Sequence, residues 1–313
     1  EDRMLKAFAR AIKSPSTVRA WRRISAAMVI VSLVIAGAAA TYGASRPELS
    51  GSAAFGLFSG SLLLGILIAQ AFFDLEGWLE QHGRDLIADR IWDQLQAGAT
   101  PEDRFILYLR PFASTDQIAQ QEETLVAMRA QAGAPTFFAP ASERLEFEGE
   151  IERALRPLGP LIALGKPLEH MGAGRILVPD ADWRNAVLRL VKAARLIVLL
   201  PSSRAGTIWE VEQILSSGAL EKTIIVDPPN RAGAPNSEYD SAAEWDAVRA
   251  TFQAYRYDLP DDDPKGLMLH FGDGFAPERT SRIAFNGVGS VRKFATKVLD
   301  DIAASPPAQT ASD

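Results

Sequence analysis

Two long uncharged runs dominate the hydropathy pattern of the first quarter of the chain. Ile24–Ala44 reads ISAAMVIVSLVIAGAAATYGA, and Ala53–Phe73 reads AAFGLFSGSLLLGILIAQAFF. At 1.5 Å per residue, about 21 residues span about 31 Å, close to the hydrocarbon thickness of a bilayer. The pattern predicts a two-helix transmembrane hairpin over 24–73. Leu79, Leu86, Ile87, Ile91 and Leu95 then recur at near-helical spacing, so 74–103 is expected to be a helical connector. From 104 on, short apolar runs alternate with amphipathic stretches. FILYL (105–109), PLIAL (160–164), RLIVLL (195–200) and the strand in KTIIVDPP (222–229) have the continuous apolar character of buried parallel strands. LMLHF (267–271) and IAF (283–285) read as further short strands. Helices are expected after Ser142, after Asp182, from Thr207 to about Ser217, over 241–256 and over 289–303. The short run RILVP falls in a long loop that follows 160–164. This alternation predicts an α/β domain over 104–303, a doubly wound parallel sheet with helices on both faces. The end, 304–313, has the composition of a disordered tail.

Charge orients the hairpin. Residues 1–23 carry seven basic side chains (Arg3, Lys6, Arg10, Lys13, Arg19, Arg22, Arg23) against Glu1 and Asp2, a balance of +5. The 45–52 loop is neutral, with Arg46 and Glu48. The positive-inside rule puts both termini and the α/β domain in the cytoplasm, at an inner membrane crossed twice. The net charge of −6 leaves −11 for the remainder. An acidic domain argues against binding nucleic acid, which needs a basic face. There is no cysteine, and the three histidines (His82, His170, His270) are far apart, so no metal site is expected. No Walker A, G-x-G-x-x-G opening a helix, or G-x-S-x-G elbow is present.

The segment ARLIVLLPSSRAGTIWEVEQILSSGALEKTIIVDPP (194–229) resembles the middle of the Toll/interleukin-1 receptor (TIR) domain family. In that family an apolar strand ends in a serine-containing loop. A helix carrying a tryptophan and an acidic residue comes next, and then another apolar strand. The resemblance extends over about 105–300 and is specific over about 35 residues. It implies a flavodoxin-like fold and, as in bacterial and some animal TIR domains, cleavage of NAD at the nicotinamide–ribose bond. It places the family's glutamate at Glu210. Trp209 sits next to Glu210 here, whereas the family's tryptophan usually lies about a turn earlier. It also implies self-association and, in bacteria, a role in defence, with NAD or a related nucleotide as substrate or ligand and no resident cofactor.

Chemistry supports the same residues independently. Loss of nicotinamide leaves an oxocarbenium-like ribose that a carboxylate can stabilise. Glu210 has a second reading, because Thr207-x-x-Glu210 is also a capping-box sequence. Ligands in open parallel sheets bind beyond the C-terminal strand ends at the switch point, which singles out Arg110–Phe112, the 165–175 loop and Pro201–Glu210. Arg110 can hold a phosphate or ribose, or pair with an acid at the surface. Trp183 and Trp209 can stack on a ring or fill a core. Ser202 and Ser203 are turn residues or ligand contacts, and Phe112 completes the candidate set.

Overall fold

A computed structural model describes residues 51–110, 147–166, 172–228, 241–272, 274–283 and 288–304, with isolated positions between 27 and 42. The chain divides into two units. One takes residues to Gly83 together with Thr136–Glu143, and the other takes Arg84–Pro135 and Arg144–Asp313.

Helix α1 begins at Gly51 in the first unit and includes the whole Ala53–Phe73 run; it ends at Gln96, and its residues from Arg84 on belong to the second unit. Trp78 stacks on His82 one turn later, with ring centroids 5.3 Å apart. Among the described residues no helix is long and apolar enough to cross a membrane. Most of Ile24–Ala44 lies outside the described residues, as do most side chains of Ala53–Phe73.

The second unit is an α/β domain built on a seven-stranded, mostly parallel sheet. The strands are β1 (Ile106–Leu109), β2 (Leu161–Leu164), β3 (Gly174–Ile176), β4 (Leu196–Leu199), β5 (Thr223–Asp227), β6 (Leu267–His270) and β7 (Arg279–Arg282). Their order is β3-β2-β1-β4-β5-β6-β7. The four apolar runs expected to pair in parallel do so: β1 pairs with β2 and β4, and β4 with β5. Their order, β2-β1-β4-β5, is compatible with the start of a flavodoxin-like sheet.

Three details differ from expectation. RILVP supplies a parallel edge strand, β3, beside β2. β6 and β7 are antiparallel additions. The last strand among the described residues is Arg279–Arg282, Ile283 lies just after it, and the rest of the expected 283–285 strand is outside the described residues. The alternation of half-buried and exposed positions along Arg279–Arg282 shows why apolar content could not find it. One face of this edge strand meets solvent, so its residues are polar.

Helices cover both faces. On one face lie α3 (Trp183–Ala193), α4 (Ala205–Ser216) and α5 (Ser241–Ala254), packed with Leu107, Leu109, Ile197, Leu199 and Ile225. Ala88 and Ile91, near the end of α1, join this core, so the expected connector is partly built into the sheet's cover. On the other face α2 (Phe147–Leu155) and α6 (Val288–Ala304) pack on Ile106, Tyr108, Leu196, Val198 and Ile224. Each strand thus feeds alternate side chains to opposite layers, as its pleat dictates. The 304–313 tail call lies outside the described residues, apart from Ala304 at the end of α6.

Glycine makes one close approach within this unit workable. A Cβ on Gly174 would lie 2.4 Å from the Arg84 carbonyl oxygen, so any side chain there would push the Arg84 turn of α1 off β3.

The core and the antiparallel edge should respond differently to truncation. Ile197→Ala, at a fully buried position in β4, is expected to cost about 2–5 kcal/mol. Thr280→Ala, on the exposed face of β7, should change stability by less than about 0.5 kcal/mol. Urea denaturation of both variants checks this. Equal losses would contradict the placement of the core.

Candidate functional site

The neighbours β1 and β4 mark the point where the chain changes direction across the sheet. Beyond the C-terminal ends of β1, β2 and β3 lies a cleft of about 440 Å³. Leu164, Gly165 and Lys166 line it from the end of β2, and Ile176, Leu177 and Val178 from β3. Arg110 enters from β1, and Asp180 and Trp183 from the approach to α3. Arg204, Gly206, Thr207 and Glu210 enter from the start of α4. The wall is largely apolar, with charged groups at a few points, as in ordinary small-molecule sites.

Three of the sequence candidates therefore meet: Arg110, Trp183 and Glu210 line one cleft. The others stand elsewhere. Trp209 packs edge-on behind Trp183, with centroids 4.9 Å apart, and the Arg184 guanidinium lies over both rings. Ser202 is buried, and its Oγ accepts from the Arg204 backbone N–H at 3.3 Å, a turn contact. Ser203 is exposed and its backbone N–H donates to the Glu244 carboxylate. Phe112 lies outside the described residues.

The capping reading of Glu210 is corrected by the position of the helix start. α4 begins at Ala205, with Arg204 as N-cap and no side-chain cap bond. Thr207 is already inside the first turn, so the pair sits too deep for a capping box. Asp182 does occupy the N-cap of α3, but its side chain makes no capping bond. Glu210 is instead 5% exposed, lines the cleft, and leaves Oε2 without a hydrogen-bond partner. Burial pushes its pKa up to about 8. It is therefore mostly neutral at pH 7.

Behind Arg110 lies a charge network that the sequence reading missed. Glu148, on α2, is fully buried. Its Oε1 accepts from Arg175 Nη2 at 2.6 Å and from the Ala173 backbone N–H at 2.8 Å. Arg110 Nε stands 3.3 Å from its Oε2. Gly172 has room for no side chain here, since a Cβ would lie 2.7 Å from Glu148 Oε1. On the outer side of β3, Asp85 accepts from the Arg175 backbone N–H at 2.9 Å. Both signals were in the sequence. Glu148 and Glu152 share the face of α2 that carries Ile151 and Leu155, and Arg175 interrupts an otherwise apolar strand.

No protein-family model, curated protein or solved structure matches the chain. Among the described residues no group of three or more acidic or imidazole side chains could hold a metal ion.

A second buried carboxyl lies at the end of β5. Asp227 is pushed up to about 9, first by burial and then by the neighbouring Asp262 and Asp263 carboxyls. For both carboxyls the folded pKa lies above the unfolded value. The fold keeps a proton that the unfolded chain releases from about pH 4–5 upward, so stability falls as pH rises toward 8–9. Glu210→Gln cannot ionise. Its melting temperature relative to wild type should therefore climb between about pH 5 and pH 8 and level off above that. A constant difference across that range would show that Glu210 is not held neutral.

Proposed function

We propose that this chain is a membrane-anchored, TIR-like effector or signalling protein. In this reading its flavodoxin-like domain binds NAD or a related nucleotide at the switch-point cleft and cleaves it at the nicotinamide–ribose bond. The observation that carries the reading is the meeting of Glu210, Arg110 and Trp183 around one cleft. Glu210 stands where the TIR resemblance puts a glutamate, Arg110 follows a strand end, and Trp183 is an aromatic able to stack on a ring. In the reaction the C1′–N bond breaks and nicotinamide leaves with the bonding pair. Glu210, as carboxylate, stabilises the ribosyl cation, and water adds at C1′ with release of a proton. Trp183 offers a ring face to the base or nicotinamide.

The anchor is the hairpin over 24–73, supported by its two uncharged runs and the basic flank. A bilayer would raise the local concentration of copies and favour self-association. A role in bacterial, anti-phage defence follows from the resemblance. The second reading is a non-enzymatic nucleotide- or protein-binding module whose signal acts through the hairpin. One observation favours it: a glutamate with a pKa of about 8 is mostly uncharged at neutral pH, where a cation stabiliser must be ionised.

Two experiments test these readings. With the full chain in liposomes and NAD supplied, nicotinamide release should have a kcat/KM that rises with pH and levels off above about pH 8, as Glu210 ionises. Glu210→Gln should lower turnover by roughly 10²–10³-fold. Wild-type cleavage by that variant eliminates the catalytic role, and no cleavage by crowded wild type moves the reading to the binding module. For topology, a cysteine at Ser50 should react with an impermeant maleimide in intact cells, and one at Ser305 should not. The reverse pattern removes the hairpin orientation.

A further inference from the structure

We infer that the cleft seats an uncharged nitrogen heterocycle, laid along the apolar ends of β2 and β3 beside Trp183, with the Glu210 carboxyl donating a hydrogen bond to an acceptor on the ring. The inference rests on the cleft being the ligand site. It deepens that reading by naming the part of a ligand that Glu210 meets in its protonated form, before any bond breaks: a neutral ring such as a pyridine carboxamide or a purine.

The walls select the shape. Leu164 ends β2, and Ile176, Leu177 and Val178 close and follow β3; together they give the cleft of about 440 Å³ an aliphatic side. Leu177 keeps 62% of its surface exposed, and a ring lying in the cleft would cover part of it. Trp183 forms the side next to α4. Its ring edge stands 4.0 Å from where a Gly206 Cβ would be. The indole is pinned by Trp209, edge-on at 4.9 Å, and by the Arg184 guanidinium. A fixed indole facing aliphatic side chains favours a flat aromatic guest.

Glu210 fixes the guest's orientation. It is 5% exposed, lines the cleft, and has no hydrogen-bond partner for Oε2. Burial alone raises its pKa to about 8, with no contribution from a hydrogen bond or charge of the protein. The carboxyl therefore keeps its proton at pH 7 and has a hydroxyl to donate. A buried hydroxyl without a partner is a cost that an acceptor on the guest removes. Ring nitrogens and carbonyl oxygens of heterocycles are such acceptors. A guest charged at that point would give up its hydration for a neutral carboxyl and aliphatic walls, which disfavours it. Thr207, one turn before Glu210 on α4, brings a second hydroxyl to the lining.

The other charged groups around the carboxyl are Arg110, Lys166, Asp180 and Arg204 on the lining. The neighbouring helices add Arg184 on α3, over the two indoles, and Glu244 on α5, which accepts the Ser203 N–H. None is a histidine, and none contributes to the Glu210 shift. A pH dependence of ring binding is therefore assigned to Glu210.

The test uses the full chain in detergent micelles, with nicotinamide and adenosine as probes and thermal melting as readout. At least one should raise the melting temperature saturably at pH 7, and the tighter of the two names the ring. Its N1-methyl cation, the same ring with a fixed charge, should bind at least about tenfold more weakly. Binding of the neutral ring should hold up to about pH 7 and weaken above about pH 8, as Glu210 loses its proton. Glu210→Gln keeps a donor and cannot ionise. It should bind within about threefold of wild type at pH 7 and should not weaken by pH 9. Glu210→Met keeps the length and removes the donor, and should bind at least about tenfold more weakly. A merely structural role for Glu210 would not give this pH profile or its rescue by glutamine.

No stabilisation of wild type by either probe overturns the inference, whether or not the variants fold. So does tighter binding of the methylated cation, unchanged binding by folded Glu210→Met, or a Glu210→Gln protein that weakens with pH as wild type does. Ring binding with no NAD cleavage would leave this inference standing and remove only the enzymatic reading. NAD cleavage with no binding of either ring would remove this inference alone.

Discussion

The carboxylate of Glu148 is the point on which the switch-point end of the sheet depends. It gathers three segments far apart in the chain: Arg110 after β1, α2 itself, and Ala173 and Arg175 at β3. A carboxylate with no exposure must be satisfied by partners, since water cannot reach it. Removing one partner from such a group costs about 3–5 kcal/mol, far more than a surface pair contributes. The constraint spreads outward from there. Gly172 has to lack a side chain so that the carboxylate can come close, and Gly174 has to lack one so that the Arg84 turn of α1 can come close on the other side. Two positions that look like loop glycines are thus fixed by one buried charge and one helix.

The cleft follows from the sheet's connectivity. Because chain direction changes between β1 and β4, the segments leaving their ends diverge and open a space between them. β2 and β3 supply an apolar floor, and α4 presents its first turn. What is unusual is the polarity assigned to the groups. The acid at the cleft is held neutral, while the arginine behind it is charged and buried. That is the reverse of a carboxylate trap for a cation.

Much of this could be read in the sequence, for identifiable reasons. The four central strands were legible because a strand buried on both faces must be apolar throughout, and few other elements of five residues are. β7 was not, because a one-sided edge strand such as Arg279–Arg282 has the composition of a loop. The start of α4 was misplaced by two residues, which changed the meaning of Glu210 from cap to cleft lining. Arg110 and Glu210 could be found from strand ends and resemblance, and Trp183 as an aromatic able to stack on a ring. Glu148 and Arg175 were not, because an acid on a helix and an arginine in a strand gain meaning only when the partner is known. Periodicity did carry the hint: an acid one turn before Ile151 on the inner stripe of α2 must have a buried counter-charge.

The two neutral carboxyls, Glu210 and Asp227, have a thermal consequence. Near neutral pH each gives up its proton when the domain unfolds, because its unfolded pKa lies well below the solution pH. Those protons pass to the buffer, and the calorimeter records the heat of that transfer along with the heat of unfolding. Tris takes up protons with a large release of heat, and phosphate with very little. The same unfolding transition will therefore absorb less heat in Tris than in phosphate, and the difference counts the protons that the fold had been holding.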